Sequence, residues 1–143
     1  SSKLETGLAS KLTYPNTPHH GPYATDEPPA MPGGQNTGPN PMDLVLGALT
    51  TCQDITYKAY ATALGIDVQR VETACEGDLD LRGFLGVDES VRKGFQVIRG
   101  TVTLTTNADA ATVEKLKGAV DAHCPMCATI SEKIPIALTV VKA

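Results

Sequence analysis

Asn40-Pro-Met-Asp-Leu-Val-Leu-Gly-Ala-Leu-Thr-Thr-Cys52 is the stretch that decides the fold. Asn40 can cap a helix, and Pro41 suits a first helical position, where an N–H has no partner in any case. Asp43 sets a carboxylate against the free amides and the positive end of the helix dipole. Gly65 suits the residue after a last turn, so the spacing predicts a helix over 41–64, about 36 Å long. Val45, Leu49, Cys52, Ile55 and Ala59 recur at steps of three and four, which places Cys52 on an apolar stripe. Leu44, Val45, Leu46, Ala48 and Leu49 leave the first half of this helix without a polar side. A helix that is apolar all round must be buried all round, and one small domain rarely achieves that alone. A homodimer built around the helix is the expected solution.

Upstream the chain is irregular. Eight of its 10 prolines fall between Tyr14 and Pro41, interleaved with Gly21, Gly33, Gly34 and Gly38. Proline removes backbone donors and glycine takes up turn conformations, so residues 14–40 read as a long Pro/Gly-rich loop after one short strand near 7–14. A loop of this length inside a compact domain commonly covers a site or a partner.

Downstream the period changes. Val71, Thr73, Cys75, Gly77, Leu79 and Leu81 alternate with Glu72, Glu76, Asp78 and Asp80, as in a strand with one face buried and one in water. Cys75 therefore points inward as a small apolar side chain. Residues 83–94 read as a turn region and 95–106 as the returning strand. A second helix follows over 108–122 with Val113, Leu116 and Val120 inward, and a last strand runs through Ile134, Ile136, Leu138 and Val140. The order gives an α+β fold in a single domain over 1–143, its long central helix packed against antiparallel sheet.

Cys52 and Cys124 are the chemically suggestive residues. Cys124-Pro-Met-Cys127 follows the second helix, and Pro125 can open a further short one. A thiol at a helix start meets free amides and the positive dipole end, both of which favour the thiolate. Three readings are open. Cys124 and Cys127 can form a local redox pair, although a helix, not the strand of a thioredoxin arrangement, precedes them. His123, Cys124 and Cys127 offer three ligands to zinc but no fourth, since His19 and His20 lie in the loop. Cys124 can instead pair with Cys52 across the fold, leaving Cys127 to packing.

Pro41-to-Cys52 resembles the helix signature of the osmotically inducible protein C and organic hydroperoxide resistance superfamily. Cys124-Pro125 resembles its second signature, while Glu76-Gly-Asp-Leu-Asp-Leu-Arg-Gly-Phe-Leu-Gly-Val and Gly94-Phe-Gln-Val-Ile resemble its hairpin. The resemblance implies an OsmC-like intertwined homodimer with long central helices wrapped by sheets and a peroxidase site at the subunit boundary. By the same analogy Cys52 is the peroxidatic thiol and Cys124 the resolving one. Two positions depart from the pattern. Met42 stands where the peroxidase branches carry Glu, with Asp43, a possible accessory residue, one place later. The amino-terminal Arg of those branches is also missing: Lys3, Lys11, His19 and His20 are the only early candidates for positive charge, with Arg92 or Arg99 as substitutes from the hairpin.

The expected activity is a cysteine-based peroxidase. A small organic hydroperoxide oxidises Cys52 to a sulfenic acid, Cys124 condenses with it to a disulfide, and an external dithiol reduces the pair. No cofactor and no metal are called for. A dimeric binding module for a small apolar or electrophilic ligand, and a Cys124–Cys127 redox switch, are the alternatives. With 12 Lys and Arg against 16 Asp and Glu, a net charge of −4 and no basic run, nucleic acid is not an expected partner. Four Cys in 143 residues are too few for a disulfide scaffold, and neither a leader nor a membrane span is evident, so the cytoplasm is the expected compartment.

Overall fold

The computed structural model describes residues 2–14, 16 and 21–142. Contacts divide the chain into two compact units, Ser1–Gly47 and Ala48–Ala143. Among the described residues the elements are four helices and two antiparallel sheets, the mixed α+β class expected.

In the first unit, β1 (Ser2–Leu4), β2 (Ser10–Leu12) and β3 (Tyr23–Thr25) form a three-stranded meander. Lys11 pairs with Lys3 on one side and Ala24 on the other. The single strand expected over 7–14 is thus shorter and has two neighbours, one of them drawn from the Pro/Gly-rich segment. The rest of that segment is organised by Asp26. Its buried carboxylate accepts from the amides of Glu27, Gln35 and Thr37 and from the Thr37 hydroxyl. Burial alone would push the Asp26 carboxyl up, but these donors together hold it below the ordinary carboxylate range. One carboxylate here does what a strand ladder does elsewhere, giving backbone amides a partner.

The long helix α1 spans Pro41–Ala63. Asn40 Oδ1 accepts from the amides of Met42 and Asp43, and Asp43 returns the bond to the Asn40 amide at 3.0 Å. This reciprocal capping box accounts for both residues. At the other end Gly65, at φ 68°, lets Ile66 N–H reach Ala61 O and Gly65 N–H reach Thr62 O, a Schellman closure.

In the second unit β4 (Val68–Leu79) pairs with β5 (Phe95–Thr106) in a long hairpin. Burial alternates along β4 from Val71 to Gly77 as the sequence pattern requires, and a register shift between Val68 and Arg70 turns buried Val68 inward as well. Lys58 Nζ donates to Val68 O, and the Thr73 hydroxyl to Asp54, which ties α1 to the hairpin. The expected turn region holds a short helix, α2 (Leu81–Phe84), capped by Asp80, so Leu81 leaves the strand pattern. Helix α3 (Ala110–His123) starts at an Asp109 cap, and α4 (Pro125–Ser131) follows directly. Tyr57, Ala61, Val68, Leu116, Val120 and Cys124 form the core of this unit.

Two expectations fail. The buried face of α1 runs through Leu49, Gln53, Thr56, Tyr57 and Ala61, whereas Ile55 is 69% exposed and Ala59 lies in solvent. The apolar count misplaced the stripe because two polar residues lie on the buried face: Gln53 bonds Cys127, and Thr56 satisfies its hydroxyl on Cys52 O within the helix, which hydropathy does not register. The final strand is also absent. Residues 133–142 form neither helix nor strand, with Ile136, Leu138 and Val140 between 78% and 96% exposed. A strand needs an edge to pair with, and within this chain the segment has found none. No helix is long and apolar enough to cross a membrane among the described residues.

Leu116 is fully buried at the centre of the second unit. Leu116→Ala is expected to cost about 2–5 kcal/mol of folding stability, read from the denaturant midpoint. A loss within ±0.5 kcal/mol, the scale of surface substitutions, would contradict the assigned core.

Candidate functional site: a cluster of three thiols

Cys52, Cys124 and Cys127 converge in the second unit. Cys52 stands half-buried on α1, one residue before the buried face. Thr56 on the next turn donates its hydroxyl to Cys52 O at 2.7 Å. Cys124 ends α3, with its N–H on Val120 O, and at the same time opens α4 as the residue before Pro125. That double duty explains its placement. Proline cannot continue α3, and it forces the preceding residue out of the helical region, here to φ −68° and ψ 113°. The Cys124 side chain is thereby directed into the core, where it is 1% exposed.

Cys52 and Cys124 are 72 positions apart in sequence, yet their sulfurs lie 3.5 Å apart. A disulfide requires about 2.05 Å, so the sulfurs are in contact and not bonded. All four cysteines are free thiols in this state. Burial by itself would raise the Cys124 thiol. Against it, the amides of Cys127 and Met126 at the start of α4 and the thiols of Cys52 and Cys127 donate to its sulfur, and their sum brings Cys124 below the ordinary thiol range. Cys127 goes the other way, pushed up to about 11 by burial, by its hydrogen bond to Cys124 and by the Cys124 charge. Of the two, Cys124 is the sulfur whose thiolate is favoured, by amides and two neighbouring thiols.

Gln53 belongs to the same cluster, and hydropathy gave no sign of it. Its Nε2 donates to Cys127 Sγ at 2.9 Å, and the same residue lines an open groove of 440 Å³ with Tyr57, Val102, Leu104, Val113 and Lys117. The readable signal is a polar residue at four-residue steps from Leu49, Tyr57 and Ala61. Cys75 takes no part. It faces inward opposite Gly100, and burial together with the nearby Asp54 charge raises it. Gly100 is required there, because a Cβ would stand 2.6 Å from Cys75 Sγ.

Asp43, His123, Arg99 and Lys11 are occupied elsewhere. Asp43 closes the capping box of α1. His123 bonds Ala119 O through Nδ1 and stacks on Tyr60 at 5.1 Å. Arg99 lies on the solvent face of the hairpin, held by Glu76 and Asp78. Lys11 pairs with Glu5. His19 and His20 lie outside the described residues. No group of three His, Cys, Asp or Glu side chains able to hold a metal ion occurs among the described residues.

The OsmC-like protein family matches residues 34–139, a span that includes all three thiols and both helices that carry them. The chain belongs to the OsmC-like family. The solved structures similar to it include the OsmC-like protein of Mycoplasma pneumoniae, at TM-score 0.75 and 15% identity, covering 92% of this chain and 84% of that one. An organic hydroperoxide resistance protein OsmC from Legionella pneumophila aligns at TM-score 0.64 and 18% identity over 91% and 87%. An OsmC-like protein of unknown function from Vibrio cholerae aligns at 0.67 and 12% over 90% of each chain. At these identities the likeness establishes the OsmC-like fold. A search of curated proteins finds no match.

A depressed Cys124 thiol has a spectroscopic consequence. Ultraviolet titration of thiolate absorbance is expected to show one thiolate surviving below the ordinary thiol range, because a lowered value keeps the charged form as pH falls. Cys124→Ser should remove it and Cys75→Ser should not. A low-pH thiolate persisting in Cys124→Ser protein would place the charge on another sulfur.

Proposed function

We propose that this OsmC-like protein is a thiol peroxidase for small organic hydroperoxides. The observation that carries the reading is the 3.5 Å contact between Cys52 and Cys124, at a helix start whose amides favour the Cys124 thiolate. Cys52 is the better placed to meet substrate, being half-buried where Cys124 is enclosed. The Cys124 thiolate draws the Cys52 proton along their contact. Cys52 sulfur then attacks the terminal oxygen of the hydroperoxide. An S–O bond forms, the O–O bond breaks, and the alkoxide leaves as alcohol with the proton from Cys124. Cys124 next attacks the Cys52 sulfenic acid, forming the disulfide and releasing hydroxide, which takes up a proton as water. An external dithiol returns both thiols, and a reducing compartment such as the cytoplasm suits that cycle. The Legionella relative, named for organic hydroperoxide resistance, supports the substrate class.

Cys52→Ser protein should no longer consume cumene hydroperoxide above background, while Cys75→Ser protein should retain turnover in a coupled dithiol assay. Equal loss in both variants with both folded would remove Cys52 from the role of nucleophile.

The same reading takes the protein as a homodimer. Its support is the apolar surface that one chain leaves open: Ile55 on α1, and the alternating Ile134, Ile136, Leu138 and Val140 beyond α4. Exposed apolar side chains of this number suit an interface, and an alternating apolar segment without a sheet suits pairing with an edge on a second copy. Sedimentation at micromolar concentration should give a dimer, lost when the chain is ended after Lys133. A well-folded wild-type monomer would contradict this.

A further inference from the structure

A two-thiol cycle leaves Cys127 without a task, yet its sulfur is held by partners on two elements. Gln53 donates to it at 2.9 Å from the position next to Cys52, and its own thiol and amide both reach Cys124. It sits on the first turn of α4, a helix with no fully buried residue. Cys52 and Cys124, by contrast, are joined across the packed junction of α1 with the end of α3, with Cys124 1% exposed. A disulfide between those two is poorly placed for a second protein or a bulky dithiol to attack.

We propose that Cys127 is a second resolving thiol, which takes the disulfide off Cys52 and carries it to the surface helix as a Cys124–Cys127 bond. The step rests on the peroxidase reading for its oxidant, and it is itself redox-neutral. Cys127 loses its proton to solvent and attacks Cys124 sulfur; the Cys124–Cys127 bond forms, the Cys52–Cys124 bond breaks, and Cys52 leaves as a thiolate that regains a proton. The external dithiol then reduces Cys124–Cys127. The charge pattern orders the events. In the reduced protein burial, the hydrogen bond to Cys124 and the Cys124 charge all hold Cys127 in its protonated form. Once Cys124 enters a disulfide its charge and acceptor role disappear; burial and the Asp121 charge still oppose the Cys127 thiolate, while the Gln53 amide favours it. The restraint on Cys127 is therefore eased once the first disulfide exists.

The test is time-resolved peptide mapping of the whole protein. Reduced protein receives one equivalent of cumene hydroperoxide, is quenched with an alkylating reagent at successive times, and is mapped for disulfides. Wild type should show Cys52–Cys124 first, replaced by Cys124–Cys127 with Cys52 alkylated. Cys127→Ser should stop at Cys52–Cys124, and Cys127→Ala serves if the serine variant does not fold. Persistence of Cys52–Cys124 in wild type with Cys127 alkylated overturns the relay and leaves the peroxidase reading intact. If hydroperoxide oxidises no thiol, that reading fails, and one equivalent of diamide, which joins thiols directly, decides the relay alone. The same succession then upholds it. A persistent Cys52–Cys124 bond, a Cys124–Cys127 bond that nothing precedes, or no disulfide at all overturns it.

Discussion

The site depends on one junction, where α3 stops and α4 begins against the buried face of α1. Pro125 enforces the break, and Cys124 is the residue at which it occurs. Because α3 is anchored by Leu116 and Val120, both fully buried, the sulfur of Cys124 is held in the core within reach of Cys52. The amides freed at the start of α4 point at the same sulfur. Burial, which opposes a thiolate, and the helix start, which favours one, thus act on a single atom, and the donors prevail.

The donors that favour the Cys124 thiolate are backbone amides and neighbouring thiols. Peroxide chemistry needs stabilised negative charge, and a cation is one of several sources. Here backbone amides and two neighbouring thiols share the task, while Arg99 is committed to Glu76 and Asp78 on the outer face of the hairpin. A helix start has an advantage over a flexible guanidinium: its donors are fixed by the backbone and need no ordering before reaction.

Much of this was legible in the sequence, and the exceptions share a cause. The ends of α1 were readable because caps are local: Asn40, Pro41, Asp43 and Gly65 act within a few residues of themselves. The hairpin was readable because a period of two survives any packing arrangement. The thiol pairing came from likeness to a family, since 72 positions separate the two sulfurs and no local pattern connects them. Three features depended on tertiary partners and were missed or misplaced. The phase of the α1 stripe turned on the burial of two polar residues, Gln53 and Thr56, the Gln53–Cys127 contact joins two elements distant in sequence, and the last strand requires an edge that one chain does not supply.

The central claim is that the fold presents Cys52 and Cys124 ready to join, without rearrangement of the helices that carry them. Carbon-13 NMR of the cysteine β-carbons, followed together with the backbone amides during titration with one equivalent of hydroperoxide, tests this directly. The Cys52 and Cys124 β-carbons should first shift in step from thiol to disulfide values while amides of α1 and α3 remote from the junction keep their positions. Oxidation of either sulfur only with loss or wholesale movement of those amide signals, or no coupled change at all, would contradict the account.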